Sequence, residues 1–229
     1  MTHQIQTALF DLDGTLADTA PDLARALNTL LEEEGRTRLP FEKIRPVVSH
    51  GSPALIRIGF GLTPKDPDYA ALRQRLLDHY ARDLCRETRL FPGTDELLAE
   101  LRRRGIAWGI VTNKPAFLTD PLIQQLALNH PPVCVVSGDT TANKKPHPEP
   151  LLHACRLAAG TPDRCVYIGD AKRDIDAGKQ AGMHTLVARY GYIDENETPH
   201  TWGADAMIDR PLDVLDWLDR RSEVIYARG

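Results

Sequence analysis

The sequence of 229 residues lacks several features that would assign it to a common class of protein. It has only four cysteines, and no two of them form a CxxC pair, which argues against a zinc site. No apolar run approaches the roughly 18–20 residues that a membrane-spanning helix needs. The formal net charge is -4, and Lys and Arg do not cluster in any segment. We therefore expect no nucleic-acid partner and no membrane partner.

The first ten residues also lack the apolar stretch and the cleavage site of a signal peptide, which predicts a cytoplasmic protein. Because that compartment keeps thiols reduced, we interpret the cysteines as small buried hydrophobic residues. Hydrophobic residues make up 42% of the chain and charged residues 26%, as is ordinary for a globular protein. The length allows one core domain and a smaller insert.

Short apolar runs alternate with longer helical patterns, which is typical of a parallel sheet with helices on both faces. The runs are apolar throughout, as expected for strands that are covered from both sides. The predicted strands are Thr7–Phe10, Ala107–Val111, Val133–Val136, Cys165–Ile168, Thr185–Ala188 and Ala206–Ile208. The helices predicted between them are Thr94–Arg104, Thr119–Leu126, Pro148–Ala158, Arg173–Ala181 and Pro211–Arg220.

The first connection between strands is about a hundred residues long, far more than one crossover needs. Its earlier part predicts helices only, at Asp22–Glu33, Pro53–Ile58 and Tyr69–Leu84, with Thr19 as N-cap of the first. We therefore predict an α/β fold, with a Rossmann-like parallel sheet in a three-layer α/β/α core and an inserted α-helical cap domain. The predicted boundaries are residues 1–16 and 88–229 for the core and 17–87 for the cap.

The strongest chemical signal is the pair Asp11 and Asp13, which directly follows the first predicted strand. Ligands of open parallel sheets bind outside the carboxyl ends of the strands, so this loop is in the right place. Two carboxylates spaced two apart and followed by Gly14 can face one centre as the chain turns. The alternative is an Asx turn in which Asp13 and Gly14 only shape the loop.

The ends of the next three strands carry matching polar groups. Thr112 and Asn113 follow the second strand, Lys145 follows the third, and Asp170 follows the fourth, with Asp174 one helical turn later. If the acids converge, each close carboxylate pair costs about 4 kcal/mol at a separation of about 4 Å and an effective dielectric of about 20. One lysine cannot offset several such repulsions, whereas a hard divalent cation such as Mg²⁺ can. The pattern therefore predicts a magnesium site.

Taken in order, Asp11–Leu16, Thr112, Lys145 and Gly169–Asp174 make the sequence resemble the haloacid dehalogenase superfamily. The resemblance spans nearly the whole chain and is to the phosphatase branch with a helical cap inserted after the first motif. It implies a Mg²⁺-dependent phosphomonoester hydrolase whose substrate is a small phosphorylated metabolite.

The resemblance also implies a role for each matched residue. Asp11 is expected to attack phosphorus and form an aspartyl-phosphate. Asp13 is expected to protonate the leaving oxygen and then to take a proton from the attacking water. Thr112 and Lys145 would hold the phosphoryl oxygens. Because the dehalogenases of the superfamily lack an acid at the position of Asp13, its presence favours phosphate-ester chemistry.

For the metal, the resemblance implies the Asp11 carboxylate, the Asp13 backbone carbonyl and Asp170 as ligands, with Asp174 orienting that shell. One position departs from the usual pattern, since Ala171 stands where many relatives carry a polar residue. This departure removes a possible hydrogen bond beside the ligands and leaves the ligands themselves intact.

Specificity is expected to lie in the cap, since the core motifs recognise only the phosphoryl group. The segment Arg45–Ser52 combines a cation, hydroxyls and a glycine at a predicted helix junction, which favours a loop that faces the site over a simple connection. We interpret Lys144 and His147 as loop residues. For Lys114 we favour a surface role over the alternative, a role in substrate binding. The expected substrate-binding residues are Gly14, Thr15, Asn113, Arg45, Ser49, His50 and Gly51.

The chain resembles the bacterial phosphoglycolate phosphatases in general. The segments Arg189–Ile193, Trp202–Asp205 and Ser49–Ser52 are more similar to the N-acetylmuramic acid 6-phosphate phosphatases of cell-wall recycling. We therefore expect N-acetylmuramic acid 6-phosphate as substrate, with 2-phosphoglycolate as the alternative. A phosphosugar mutase and a non-catalytic binding module are the other hypotheses, and both a monomer and a homodimer remain open.

Overall fold

The computed structural model describes residues 4–226, with side chains as far as Glu223. Residues 1–3 and 227–229, which include both ends of the predicted core domain, lie outside the described residues. The strands are β1 Thr7–Phe10, β2 Ala17–Asp18, β3 Arg89–Leu90, β4 Ala107–Val111, β5 Val135–Val136, β6 Cys165–Gly169, β7 His184–Ala188 and β8 Ala206–Ile208. The helices are α1 Ala20–Glu33, α2 Phe41–Ile44, α3 Gly51–Phe60, α4 Tyr69–Arg82, α5 Thr94–Arg103, α6 Ala116–Leu126, α7 Glu149–Leu157, α8 Lys172–Gln180 and α9 Asp213–Tyr226.

Six strands form one parallel sheet in the order β5-β4-β1-β6-β7-β8. The central strand β1 pairs with β4 on one side and β6 on the other, so that Thr7 lies opposite both Ala107 and Cys165. Since all six strands run the same way, their carboxyl ends share one edge of the sheet. The loops that follow β1, β4 and β6 therefore meet at the centre of that edge.

The sheet is covered on both faces, as the apolar runs predict. Ala8 and Phe10 pack in one hydrophobic cluster with α5 and α9, and Leu9 packs in a second cluster with α7 and α8. Alternate residues of β1 thus point to opposite layers, and each is at most 1% exposed. Full burial of such a side chain contributes about 1.5–3 kcal/mol. The predicted three-layer α/β/α fold with a Rossmann-like sheet is confirmed.

Between β2 and β3 the chain forms helices only, together with a 3-10 turn over Arg45–His50. Helix α1 buries Leu23, Leu27 and Leu30, a spacing of three to four residues that turns one face toward α4. The entry and exit of this helical segment, residues 20–82, are joined by antiparallel pairing of β2 with β3. The sequence pattern did not predict this ribbon, because two-residue strands carry no periodicity. The division into cap and core domains stays a prediction.

Several predicted boundaries are wrong by a few residues. Strand β5 begins at Val135, and helix α6 begins at Ala116, one turn before the predicted start. The earlier start of α6 arises because Thr119 already donates its N–H to Pro115 O at 3.0 Å. Thr19 precedes α1 as predicted but makes no side-chain cap bond. Its hydroxyl donates to Asp13 Oδ1 instead, at 2.6 Å.

The sequence also led to expectations about the cysteines and about membrane-spanning helices. All four cysteines are free thiols, and three of them, Cys134, Cys155 and Cys165, are buried as predicted, while Cys85 is half-buried. Within residues 4–226, no helix combines the length and the apolar character needed to cross a bilayer.

Candidate active site

The turn after β1 carries two carboxylates at the centre of the sheet edge. It closes because the N–H of Ala17 donates to Leu12 O at 3.0 Å. Gly14 within the turn has φ of +81°, a conformation that glycine adopts without a steric penalty. The turn thereby places Asp11 and Asp13 on the wall of one cavity.

Lys145 links the acids of neighbouring strand ends and is only 3% exposed. Its Nζ lies 2.9 Å from Asp11 Oδ1 and 2.8 Å from Asp174 Oδ1. The same ammonium donates to the hydroxyl of Tyr167 at 2.8 Å and to Val111 O at 3.1 Å. A buried ammonium is stable only with such partners. These contacts therefore fix one positive charge beside the Asp11 carboxylate.

The loop after β4 holds Lys145 in place. The side-chain amide of Asn113 donates to Lys145 O at 2.9 Å and accepts from Lys145 N at 3.0 Å. Thr112 Oγ1 accepts the N–H of Lys114 at 3.1 Å. Asn113 thus positions the lysine backbone, and its contact with substrate stays a prediction.

Asp13 lies in a different environment from Asp11. Its Oδ1 accepts from Lys114 Nζ at 2.5 Å and from Thr19 Oγ1 at 2.6 Å. The ammonium of Lys114 also lies 4.8 Å from the centre of the Tyr80 ring, where a cation is attracted to the π face. Tyr80 and Thr19 belong to or border the helical segment. Asp13 is therefore held jointly by the core and by that segment.

Asp170, at the end of β6, is packed closely against the first turn. Its Oδ2 accepts from Ser49 Oγ at 2.6 Å and from the N–H of Tyr192 at 2.8 Å. A Cβ added to Gly14 would lie 2.2 Å from this oxygen, so only glycine fits there. The other oxygen, Oδ1, is buried and has no hydrogen-bond partner among the described residues.

Burial and charge separate the pKa values of these carboxyls. Burial raises the pKa of Asp11 to about 6, against the opposing effect of Lys145. Burial, together with the charges of Asp11 and Asp174, raises the pKa of Asp170 to about 7. Burial also acts to raise the pKa of Asp13, but the charge of Lys114 and the hydrogen bonds outweigh it and lower the pKa. Asp13 is thus the stronger acid of the first pair.

The donor set fits a divalent cation. Carboxylate oxygens of Asp11, Asp170 and Asp174 lie within 4.8 Å of one another. Asp174 is already engaged, since Oδ1 pairs with Lys145 and Oδ2 accepts the N–H of Ala171 at 3.0 Å. Oδ1 of Asp170 has no hydrogen-bond partner among the described residues, and the pKa of Asp170 is raised. Both observations indicate that the surrounding side chains do not fully compensate the negative charge of an ionised cluster, which a bound cation would do. Oxygen donors of this kind suit a hard ion, and the cluster is a candidate metal site.

A cavity of about 700 Å³ opens between the sheet edge and the helical segment. It is lined from the core by the loops after β1 and β4 and from the helical segment by the 3-10 turn, α3 and α4. The predicted site residues on its wall are Asp11, Asp13, Thr112, Asn113, Ser49, His50 and Gly51.

The other predicted residues lie away from the cavity wall. Arg45 donates from Nη1 to Gly191 O at 3.0 Å and lies 4.9 Å from the centre of the Tyr192 ring. It therefore fastens the helical segment to the core, and its contact with substrate stays a prediction. Thr15 is buried in the turn.

Sequence reasoning missed several residues of the site. The interpretation of Lys114 as a surface residue is wrong, since its side chain is only 7% exposed and pairs with Asp13. A signal was present, because Lys114 directly follows the polar pair at the end of β4. Arg173 lines the cavity and donates to Ser49 O, and Tyr192 donates its hydroxyl to Asp18 Oδ1 at 2.7 Å. These contacts join segments far apart in sequence, which no local pattern indicates.

The fold and the site define a class, namely Rossmann-like hydrolases that carry their acids and a lysine at strand ends. The model of a family described as haloacid dehalogenase-like hydrolase matches residues 8–188. The chain therefore belongs to the haloacid dehalogenase-like hydrolases, as a phosphatase of that family.

Named relatives are similar over nearly the whole chain. An N-acetylmuramic acid 6-phosphate phosphatase of Pseudomonas putida is 38% identical over 216 residues, which cover 94% of this chain and 97% of the relative. A phosphoglycolate phosphatase of Xanthomonas campestris is 39% identical over 210 residues, 90% and 93% of the two chains. A crystal structure described as a predicted phosphoglycolate phosphatase from Haemophilus somnus superposes with a TM-score of 0.83 at 25% identity, covering 95% of this chain and 99% of the other.

Proposed function

We propose that this protein is a magnesium-dependent phosphomonoesterase that acts through an aspartyl-phosphate on Asp11. The observation that carries the proposal is the contrast between the two acids of one turn. Asp11 is buried against Lys145 and belongs to the acid cluster, whereas Asp13 is bound separately by Lys114 and Thr19. Two carboxyls with pKa values pushed apart suit two different chemical roles.

In the first step, the Asp11 carboxylate attacks phosphorus, and the bond from phosphorus to the leaving oxygen breaks as Asp13 gives that oxygen a proton. In the second step, Asp13 takes a proton from water, which attacks the same phosphorus and releases phosphate from Asp11. Both acids line the cavity, as these steps require. Thr112 and Lys145 hold phosphoryl oxygens in this scheme, and Lys145 also offsets the charge of Asp11.

The lowered pKa of Asp13 has a place in this scheme. With Lys114 as its ion-pair partner, Asp13 is ionised before substrate arrives. A phosphate group close to Lys114 shares that cation, which weakens the ion pair and raises the pKa of Asp13. With its pKa raised, Asp13 takes up a proton from solvent, and this is the proton that it gives to the leaving oxygen in the first step.

Mg²⁺ would be held by the carboxylates of Asp11 and Asp170 and by the Asp13 backbone carbonyl. When bound, it supplies charge neutralisation for the phosphoryl oxygens. Asp174, which is engaged with Lys145 and Ala171, orients this group. The partnerless oxygen of Asp170 supports the assignment.

The cavity supports an anionic substrate although the chain as a whole is acidic. Four basic side chains line it, Arg73, Lys114, Lys144 and Arg173, against two acidic ones, Asp11 and Asp13. We propose residues 17–87 as a cap domain that supplies one wall of the cavity, with Ser49, His50 and Gly51 on that wall and Arg45 anchoring it to the core. Gly14, Thr15 and Asn113 shape the phosphate pocket from the core, residues 1–16 and 88–229.

We propose N-acetylmuramic acid 6-phosphate as the substrate. A cavity of about 700 Å³ is in the range of pockets that enclose drug-sized ligands, which suits a substituted sugar better than a two-carbon ester. The relative from Pseudomonas putida carries this activity in its name. The alternative, 2-phosphoglycolate, is supported by the name of the equally similar relative from Xanthomonas campestris.

The test measures phosphate release by the purified protein from both esters, with Mg²⁺ added and with the metal removed by a chelator. We expect a higher kcat/KM for N-acetylmuramic acid 6-phosphate, and no turnover without metal. Faster turnover of 2-phosphoglycolate would overturn the choice of substrate. Isomerised sugar phosphate without free phosphate would favour a mutase. No release from a broad panel of esters would favour a binding module.

The nucleophile assignment predicts that Asp11→Asn loses activity by a factor on the order of 10³ or more, since an amide cannot form the phosphoenzyme. The fold is expected to survive, because an amide of the same shape still accepts the N–H of Leu12 at Oδ1. Phosphate release and thermal unfolding are measured on the same preparation. An active Asp11→Asn variant would refute the assignment.

A further inference from the structure

One guanidinium on the cavity wall, that of Arg73, pairs with no carboxylate of residues 4–223. Arg73 of α4 lines the cavity and is half-buried, and its Nε donates to Ser52 Oγ at 2.9 Å. Within the described residues no carboxylate pairs with it. By contrast, Arg75 on the same helix pairs with Glu33 and Glu34. Arg73 is thus anchored at one nitrogen and uncompensated in charge.

The other partly buried cations of the cavity lie among the carboxylates of the core. Lys114 pairs with Asp13. Arg173 donates to the neutral Ser49 O, and its charge is offset by the nearby carboxylates of Asp174, Asp11 and Asp170. Lys144 is exposed and lies on the core loop next to Lys145. Helix α4 contributes several side chains to the helical wall of the cavity. Among them Arg73 is the basic one, and Leu76 and Leu77 are apolar. An apolar wall strengthens the attraction between this guanidinium and an anion.

We propose that Arg73 binds a carboxylate of the substrate, so that the preferred esters carry a carboxyl group besides the phosphate. This inference rests on the proposed phosphatase function and assigns Arg73 as a specificity-determining residue. A guanidinium held at Nε by Ser52 keeps its two terminal nitrogens in a fixed fork that matches the two oxygens of a carboxylate. The core cations take the phosphate at one end of the cavity, and Arg73 takes the carboxylate at the helical wall.

The experiment compares each acid with its neutral amide, which has nearly the same shape. N-acetylmuramic acid 6-phosphate is paired with its lactyl carboxamide, and 2-phosphoglycolate is paired with phosphoglycolamide. The readout is the ratio of kcat/KM for acid over amide. In the parent we expect a ratio of roughly tenfold or more, because a hydrogen-bonded charge pair contributes about that much to kcat/KM. In Arg73→Met we expect a ratio near one. If Arg73 only supported the cavity wall through Ser52, Arg73→Met would lower both values and leave the ratio unchanged.

Matched variants make the result specific. Arg73→Lys keeps the charge without the fork, so an intermediate ratio is expected even if Arg73→Met folds poorly. Arg57→Met, on an exposed site of α3 outside the cavity, and Lys144→Met, on the core wall, are expected to keep the parent ratio. A parent ratio near one, an unchanged ratio in Arg73→Met, or a ratio lost in Lys144→Met would each overturn the proposal.

Binding separates this inference from the proposed function. The same acid-to-amide ratio is measured as Kd by calorimetry in an Asp11→Asn background, where no turnover is needed. If the parent releases no phosphate, the proposed function fails, yet a tenfold preference for the acid that Arg73→Met removes still supports the carboxylate contact. An equal Kd for acid and amide overturns the contact while phosphate release by the parent still supports the phosphatase.

Discussion

At the scale of single residues, the site separates two chemically identical groups by what surrounds them. Asp11 and Asp13 leave the same turn, yet burial raises the pKa of the first to about 6, and Lys114 lowers the pKa of the second. The difference arises from which cation lies nearest and how it is shared. Lys145 divides its charge between Asp11 and Asp174, whereas the one ion pair of Lys114 among the described residues is with Asp13. An unshared cation stabilises its partner's charge more strongly.

This arrangement predicts a large effect of Lys114→Met. The variant leaves Asp13 without its counter-ion, in a pair whose side chains are 7% and 16% exposed. We expect a loss of about 3 kcal/mol in the free energy of unfolding, measured by urea denaturation. We also expect kcat/KM to fall by a factor on the order of 10², because a cation close to the phosphoryl group is lost.

A double variant separates the two effects. In Asp13→Asn/Lys114→Met neither charge remains, so most of the lost stability is expected to return. Activity is expected to stay low, since the proposed acid–base group is gone. If the double variant is no more stable than Lys114→Met, the ion pair is not the source of the loss.

Gly14 gives a second prediction at this scale. In Gly14→Ala the new Cβ would lie 2.2 Å from Asp170 Oδ2, at a backbone φ of +81°. We expect Asp170 to move, with a loss of activity of roughly 10- to 100-fold and a higher Mg²⁺ concentration at half-maximal rate. Phosphate release titrated with Mg²⁺ measures both.

The control for Gly14 is Gly35→Ala. Gly35 also has a positive φ, of +67°, but no atom lies within 4 Å of the added Cβ. This variant is expected to lose about 1–2 kcal/mol of stability from backbone strain and to keep its Mg²⁺ requirement. The same shift in Mg²⁺ requirement in both variants would mean that strain, and not contact with Asp170, is responsible.

The residues that the sequence predicts well are those that a strand end places directly. Asp11, Lys145, Asp170 and Asp174 converge because the carboxyl ends of parallel strands share one edge. Lys114 also lies close to a strand end, but its burial depends on contacts with Asp13 and with Tyr80 of α4. A contact between elements that far apart follows from packing, which local patterns do not contain.

At the scale of elements, the helical segment is fastened to the core at the site itself. Ser49 donates to Asp170, Arg173 donates back to Ser49 O, and Arg45 donates to Gly191 O. Polar contacts of this kind can exchange with water when two elements separate.

The long helices are predicted from the spacing of apolar residues. The β2–β3 ribbon and the 3-10 turn are not, since both are too short to show a period.

Asp22 secures the far side of the same segment. It is fully buried in α1, pairs with Arg25 at 2.8 Å, and accepts the N–H of Glu87 at 3.0 Å and that of Thr88 at 2.8 Å. It thereby joins the start of the segment to the chain that leaves it. We expect Asp22→Asn to lose about 3 kcal/mol of stability at neutral pH, measured by urea denaturation. Asp78→Asn, an exposed site on α4, is expected to change stability by less than about 0.5 kcal/mol.

The pH dependence of this loss has a definite sign. Burial acts to raise the pKa of Asp22, but the bonds from Arg25 and Thr88 outweigh it, and the folded pKa is below 3.8. Such a carboxylate contributes stability that is fully present above about 3.8 and is lost as pH falls through the folded pKa. The difference between parent and Asp22→Asn should be constant from neutral pH down to about 5 and shrink below 4. A difference that grows on acidification would contradict the assignment.

At the scale of the whole molecule, net charge and local charge point in opposite directions. The chain carries 32 acidic and 28 basic residues, yet basic side chains predominate on the cavity wall. Three of the acids, Asp11, Asp170 and Asp174, form a buried cluster at this site. The overall charge therefore describes solubility, and the local arrangement describes the ligand. This is why composition led us to expect no nucleic-acid partner but could not identify the substrate.

The buried acid cluster couples stability to pH and to metal. The folded pKa values of Asp11 and Asp170, about 6 and about 7, lie above the ordinary value of 3.8. Groups raised in this way stabilise the fold at low pH, and that contribution is lost as pH rises from about 4 to about 7. Mg²⁺ binds the ionised form, so it should restore more stability at pH 8 than at pH 5. At a Mg²⁺ concentration 100 times its Kd the gain in the free energy of unfolding is about 2.7 kcal/mol, or roughly 5–10 °C in Tm for a chain of this size.

Thermal unfolding with Mg²⁺ and with a chelator, at both pH values, measures this difference. Asp170→Asn removes one ligand and one of the titrating groups, so its Mg²⁺-induced shift should largely vanish. An equal shift at the two pH values in the parent would show that these carboxyls do not form the metal site.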